Sequence, residues 1–235
     1  MKKIMIVGSF VIGLVVLGSA YLVYRVGLLT NDRSRQVIAF IRNPSSRESM
    51  IIPAGTRCGN APFTMPTTGM IGFIWGDSFR IGHQHSGIDI FSGTEAGVTP
   101  VYAAYDGYLS RLEDWKSSLI IRIPSDPLNP DQQIWTYYTH MADPSGMSFI
   151  VDDFPPGTRN LFVHEGTLLG YQGNYSGTFG NPTGVHLHFS IVKDDGEDRY
   201  LNELEIGNTL DPTPYFGLSL NASENPKEIP ICRVN

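Results

Sequence analysis

An all-β domain is what this chain predicts, and three observations carry that expectation. Its 25 glycines and 16 prolines cut the sequence into short Val/Ile/Tyr/Phe runs, the pattern of brief strands joined by many turns. Helical periodicity is weak beyond the N-terminus. The segment Gly184-Val185-His186-Leu187-His188-Phe189 alternates apolar and polar residues, so successive side chains fall on opposite faces of a strand. At 235 residues and 41% hydrophobic content, the chain can bury one substantial core but hardly two full domains.

The N-terminus is the exception to the β pattern. From Ile4 to Tyr24 the chain is uncharged and mostly apolar, preceded by Lys2 and Lys3 and followed by Arg25. Such a segment spans about 31 Å as a helix, close to the roughly 30 Å of a bilayer core. Its length favours an uncleaved membrane anchor over residues 1–27 with Lys2 and Lys3 in the cytoplasm. Leu17-Gly18-Ser19-Ala20 also offers small residues that a signal peptidase accepts, so a cleaved signal peptide stays open. Either reading sends the rest of the chain out of the cytoplasm. There, Cys58 and Cys232 can form one disulfide or remain two thiols.

Residues 28–61 read as an extracytoplasmic linker with a β-prone piece at Val37 to Ile41. Residues 62–217 hold the strand-rich domain, and 218–235 form a tail. Pro124 to Gln133, with Ser125-Asp126-Pro127-Leu128-Asn129-Pro130-Asp131, reads as an extended hairpin tip. Ala142 to Leu161 is a longer loop, and loops carry specificity when a sheet carries the chemistry; it is expected to wall a groove beside His140. A formal net charge of −6 without a basic cluster leaves no electrostatic footprint for nucleic acid.

Chemistry concentrates in three segments. His186 and His188, two apart on one strand, reach the same space, while Val185, Leu187 and Phe189 face apolar packing. One strand supplies at most two ligands to a metal that needs three or four. The complement is His85-Ser86-Gly87-Ile88-Asp89, where Gly87 allows the chain to bend as it enters a strand at Ile88 to Phe91. Tyr137-Tyr138-Thr139-His140-Met141 ends a third β-prone stretch with another histidine. The chain has six histidines, and four of them fall in these segments. No Gly-x-Ser-x-Gly or phosphate-loop pattern competes.

Together and in this order, these segments resemble the three signatures of the lysostaphin-type, or LytM-like, zinc metallopeptidases. Val101-Tyr102-Ala103-Ala104-Tyr105-Asp106-Gly107, Leu169-Gly170-Tyr171-Gln172-Gly173-Asn174 and Asp211-Pro212-Thr213-Pro214-Tyr215 fit the family's intervening and closing segments, and the resemblance covers about Phe63 to Phe216. It implies a mostly antiparallel, sandwich-like LytM (duplicated hybrid motif) domain. It also implies that His85, Asp89 and His188 bind Zn2+, leaving a fourth position for water as catalytic zinc sites do. His140 and His186 would orient or deprotonate that water, stabilise the oxyanion and return a proton to the leaving amine, with the division between them open. Only His85 has the family spacing to Asp89, so His83 is expected on the groove wall or surface, and His164 in an exposed turn. An acceptor should hold each ligand imidazole in its tautomer, but no residue of the sequence identifies itself as one. The implied activity is cleavage of peptide stems or cross-bridges of peptidoglycan in a bacterial cell envelope. Relatives that have lost catalysis and act as membrane-tethered scaffolds or activators provide the alternative, and a hydrolase acting on a non-wall peptide is a further one.

Overall fold

The computed structural model describes residue 18, residues 32–78 and residues 82–232. The expected membrane or signal segment, apart from Gly18, lies outside the described residues. Among those described, no helix is long and apolar enough to cross a membrane.

Among the described residues, twelve strands make a mostly antiparallel β domain with few helices. The larger sheet runs in the order β1 (Ile51–Ile52), β2 (Gly69–Phe73), β3 (Ile88–Phe91), β11 (Pro182–Lys193), β7 (Ile134–Thr139), β6 (Leu119–Ile123), β5 (Gly107–Ser110), β8 (Leu161–Val163). Two short strands, β10 (Gly173–Tyr175) and β12 (Thr209–Leu210), also pair with β11. A separate ribbon joins β4 (Pro100–Tyr102) to β9 (Leu168–Tyr171).

The twelve-residue β11 is the spine. Its apolar alternates Leu187, Phe189 and Ile191 are fully buried and pack with Ile88 and Ile90 of β3, Tyr138 of β7 and Leu119 of β6. Each such side chain stabilises the fold by about 1.5–3 kcal/mol through water exclusion. Val101 and Leu169 bring the small ribbon onto the same core. The opposite face of β11 carries His186 and His188; His188 lies between β3 and β7, and His186 pairs with Gly173 of β10.

The hairpin tip is where the sequence puts it, between the paired Ile123 and Ile134. Asp126 organises it, accepting from Leu128 N–H (2.9 Å) and from the Tyr215 hydroxyl (2.7 Å). His164 is exposed between β8 and β9, as expected.

Two expectations are corrected. Val37 to Ile41 is not β-like; it lies within helix α1 (Asp32–Arg42). Arg33, Val37 and Phe40, spaced i, i+4, i+7, form one buried stripe that packs through Val37 and Phe40 on Met70, Phe91 and Ile229. Burial of that stripe outweighs the strand preference of Val and Ile. The loop 142–161 does not wall the groove. None of its residues lines the cavity; its Ile150 and Phe154 enter the main core and Ile150 bridges Gly170, so apolar burial holds it on the core instead.

The chain ends are tied to this frame. Leu218 and Leu220 join the main core, Ile229 packs under α1, and Cys232 is disulfide-bonded to Cys58. Arg33 is fully buried, 3.0 Å from Asp77, and donates to the carbonyls of Asn225 and Glu228. Helix α1 is therefore pinned to both the sheet and the C-terminal segment.

Candidate metal centre and active site

The register of the sheet assembles the site. His188 on β11 is directly opposite Asp89 on β3 and, on its other side, Thr139 at the end of β7. His186 comes to the same face two residues earlier. His85 arrives from the segment before β3, and Gly87 is what lets it approach: a Cβ there would lie 2.2 Å from the Phe189 carbonyl oxygen. Any side chain at this position would push the entry of β3 away from β11.

His85 is held by a tight turn. Asp77 accepts from Ile74 N–H through its side chain (2.8 Å) and from His85 N–H through its carbonyl (2.8 Å), while Gly76 N–H donates to the His85 carbonyl (2.8 Å). His85 Nδ1 donates to the Ile74 carbonyl (3.2 Å), which leaves Nε2 with its lone pair turned into the site. For His188 the orientation is reversed. Its Nε2 faces Glu203 Oε1 at 2.8 Å, and its Nδ1 faces the site.

Three donor atoms then converge. His85 Nε2 lies 3.0 Å and His188 Nδ1 2.8 Å from Asp89 Oδ1, and the two nitrogens are 3.0 Å apart. All three residues are buried, and this set could hold a metal ion. Two imidazole nitrogens and one carboxylate oxygen suit zinc, and three protein ligands leave a coordination position open.

The electrostatics agree with a cation-binding centre. Burial by itself would push His188 down, but the charge of Glu203 and the bonds to Asp89 and Glu203 outweigh it and raise the imidazole to about 10. Glu203 is brought down to about 2, because the positive His188 and hydrogen bonds to it more than offset burial. Asp89 is held well below the usual carboxylate range: burial opposes this, and the charges of His85 and His186 with the bonds from His188 and His85 overcome it. Positive charge between these groups, whether a proton or a metal ion, satisfies both carboxylates.

His140 and His186 stand at the edge of this cluster with their rings 4.5 Å apart. Each donates from Nδ1 to a backbone carbonyl, His140 to Tyr175 (2.6 Å) and His186 to Gly184 (2.7 Å). Their Nε2 atoms are therefore proton acceptors, and that of His186 lies 3.6 Å from Asp89 Oδ1. Burial, reinforced by the neighbouring His186 and His188, lowers His140 to about 3; burial also lowers His186. Both rings are neutral at pH 7. His140 has a backbone φ of 73°, a left-handed conformation that costs a non-glycine residue about 1 kcal/mol or more and concentrates at functional sites. Phe91 stacks on His186 at 4.8 Å between centroids and 22° between planes, fixing the second ring.

All five residues expected from the sequence, His85, Asp89, His140, His186 and His188, meet in one cavity of about 670 Å³, and His83 stands on its wall as expected. Sequence reasoning missed Glu203. It sits in Asn202-Glu203-Leu204-Glu205, where nothing local separates it from Glu205. It also missed Asp77, which acts through a turn rather than a motif. Phe91 had a readable signal, being two residues from Asp89 on the same strand face.

No family model matches the chain, and no curated protein does. Among solved structures, it is similar to the antimicrobial peptidase lysostaphin from Staphylococcus simulans, with 20% identity, TM-score 0.41, and coverage of 63% of this chain and 49% of that one. It is similar to Csd3 of Helicobacter pylori at 16% identity and TM-score 0.38, covering 71% of this chain and 40% of that one. A mutant catalytic domain of the prophage-encoded M23 protein EnpA from Enterococcus faecalis gives 20% identity and TM-score 0.37, covering 65% of this chain and 98% of that one. The chain spans half the length or less of the first two. In the order and content of its motifs, the chain resembles the M23, or LytM-like, peptidases.

Proposed function

We propose that the chain is a zinc-dependent metallopeptidase that hydrolyses peptide bonds in the stems or cross-bridges of peptidoglycan. The observation that supports this most directly is the buried convergence of His85 Nε2, Asp89 Oδ1 and His188 Nδ1 beside two neutral imidazoles that line the same cavity, each bound at Nδ1 to a backbone carbonyl. Zinc held by the three ligands supplies Lewis acidity to a scissile carbonyl and acidifies water.

The remaining work belongs to the protein. His140 and His186 are anchored at Nδ1 by carbonyls, so Nε2 of either ring is ready to take a proton from the attacking water. The ring that has taken it becomes a donor, able to stabilise a developing oxyanion and to protonate the leaving amine. Glu203 orients His188, and the Ile74 carbonyl orients His85, so the ligand nitrogens need no reorganisation before the reaction. The Cys58–Cys232 disulfide fits an oxidising, extracytoplasmic location, and residues 1–27 are proposed as the membrane anchor or export signal that places it there.

The test is zinc per chain in wild type and His188→Ala, together with release of new amines from purified cell wall. One zinc per wild-type chain, lost in His188→Ala, with amine release abolished by His140→Ala or His186→Ala at full zinc content, is the expected pattern. A correctly folded chain that holds no metal would instead be a scaffold, and the enzyme reading would be abandoned. Mass spectrometry of released fragments identifies the bond cut.

A further inference from the structure

Helix α1 presents two adjacent stripes. One, Arg33, Val37 and Phe40, is buried against the sheet. The next, Ser34, Ile38 and Ile41, again at i, i+4, i+7, lines the cavity that holds the five site residues. Ile38 and Ile41 are 43% and 46% exposed there. Among the described residues these two isoleucines face the cavity, with Ile41 Cδ1 3.3 Å from where a Cβ on Gly184 would stand, while the buried stripe already secures the helix.

The sheet order gives the cavity two banks of different chemistry. On the β7 side, Tyr137 donates to the Ser118 hydroxyl (2.9 Å), and Ser118 and Thr139 share a bond of 2.6 Å, so that bank is lined with hydroxyl groups. On the β3 side, Phe91 lies against His186, Phe73 packs on Phe91, and Ile38 and Ile41 continue the apolar surface outward. Among the described lining residues there is no lysine or arginine, and the two carboxylates, Asp89 and Glu203, are both engaged by imidazoles.

We propose that Ile38 and Ile41 form a specificity subsite that receives an apolar side chain of the peptide substrate next to the scissile bond, on the His186 side of the metal centre. This rests on the peptidase reading for the identity of the occupant. An apolar side chain seated on these residues loses water contact without leaving a polar group unpaired, whereas a carboxylate there would be desolvated on an apolar surface with no lysine or arginine among the described lining residues to pair with it. The discrimination available from one such side chain is about 10- to 100-fold.

The experiment uses the full zinc-loaded chain and internally quenched peptides that differ only in one residue beside the cleaved bond: Leu, Ala, Lys or Asp. Wild type is expected to favour Leu over Asp by about 10- to 100-fold in kcat/KM. Ile41→Lys and Ile38→Lys are expected to lose that preference and to gain at least about tenfold on the Asp peptide, at unchanged zinc content, while Ile41→Val keeps the wild-type order. Binding of the same peptides to the metal-free chain, read by calorimetry, should follow the same ranking. A flat ranking in wild type, or an unchanged ranking in both Lys variants, overturns the subsite; Ile38→Asn and Ile41→Thr serve if a Lys variant does not fold. Side-chain-selective binding by the metal-free chain without cleavage by the zinc-loaded chain would retain the subsite and overturn the peptidase reading alone.

Discussion

Glu203 offers the sharpest perturbation of the metal centre, because among the three residues of the candidate metal set its hydrogen bond is to His188. Its Oε1 lies 2.8 Å from His188 Nε2 and accepts from the Ser86 hydroxyl at 2.7 Å, with about nine-tenths of the His188 side chain and 86% of its own hidden from solvent. A hydrogen bond to a charged group contributes about 1.5–3 kcal/mol, and at 1.4 kcal/mol per tenfold that converts to about 10- to 100-fold in zinc affinity. Glu203→Gln keeps an acceptor oxygen and loses the charge, so it should fall near the lower bound. Glu203→Ala leaves the imidazole N–H and the Ser86 hydroxyl without that acceptor and should fall near the upper bound. Zinc competition against a fluorescent chelator measures both, with Glu197→Gln, on an exposed residue paired with Arg199, as a control expected to bind like wild type. If folded Glu203→Ala binds zinc within twofold of wild type, then His188 does not depend on this carboxylate for its orientation or basicity.

Three further outcomes are expected. Asp77→Ala strands the buried Arg33 guanidinium and opens the turn that presents His85; urea unfolding should show a loss of about 3–5 kcal/mol, and zinc affinity should fall with it. Reduction of Cys58–Cys232 frees a constraint across 174 residues, worth up to about 5 kcal/mol by chain entropy, and thermal melts with and without reductant measure the loss. The metal-free chain should be most stable near pH 6.5. Below it, the unfolded chain takes up a proton that His140, held at about 3, refuses, and then a second that Glu203, held at about 2, refuses; stability falls with pH through those windows. Above it, native His188 keeps a proton until about 10 that the unfolded chain has released, so stability falls as pH rises. Melting temperatures of chelator-treated protein across pH check this, and added zinc should flatten the alkaline side by replacing that proton.

The motif residues were legible because each lies in a short local pattern. Two-residue alternation puts His186 and His188 on one strand face whatever the strand pairs with, and the four-residue step from His85 to Asp89 around Gly87 needs only one bend. The hairpin at Asp126 and the exposed turn at His164 were legible for the same reason: their turn chemistry is contained in a few consecutive residues.

What the sequence alone determined, then, is the set of groups that alternation and turn residues aim in a common direction, and the all-β class that short strands and many turns impose. Tertiary structure decided the partners. Glu203 becomes the acceptor for His188 because the chain returns fifteen residues after it, and Asp77 becomes the support for His85 because Arg33 is buried beside it. Val37 to Ile41 reads locally as a strand but folds as a helix, since only the packed sheet offers the surface that its 33/37/40 stripe can bury. The loop at 142–161 leaves the groove for the same reason, as Ile150 and Phe154 find the core. Hydrogen-bond acceptors and buried faces at long sequence separation have no local signature, because what selects them is the water excluded and the charge satisfied when distant segments meet.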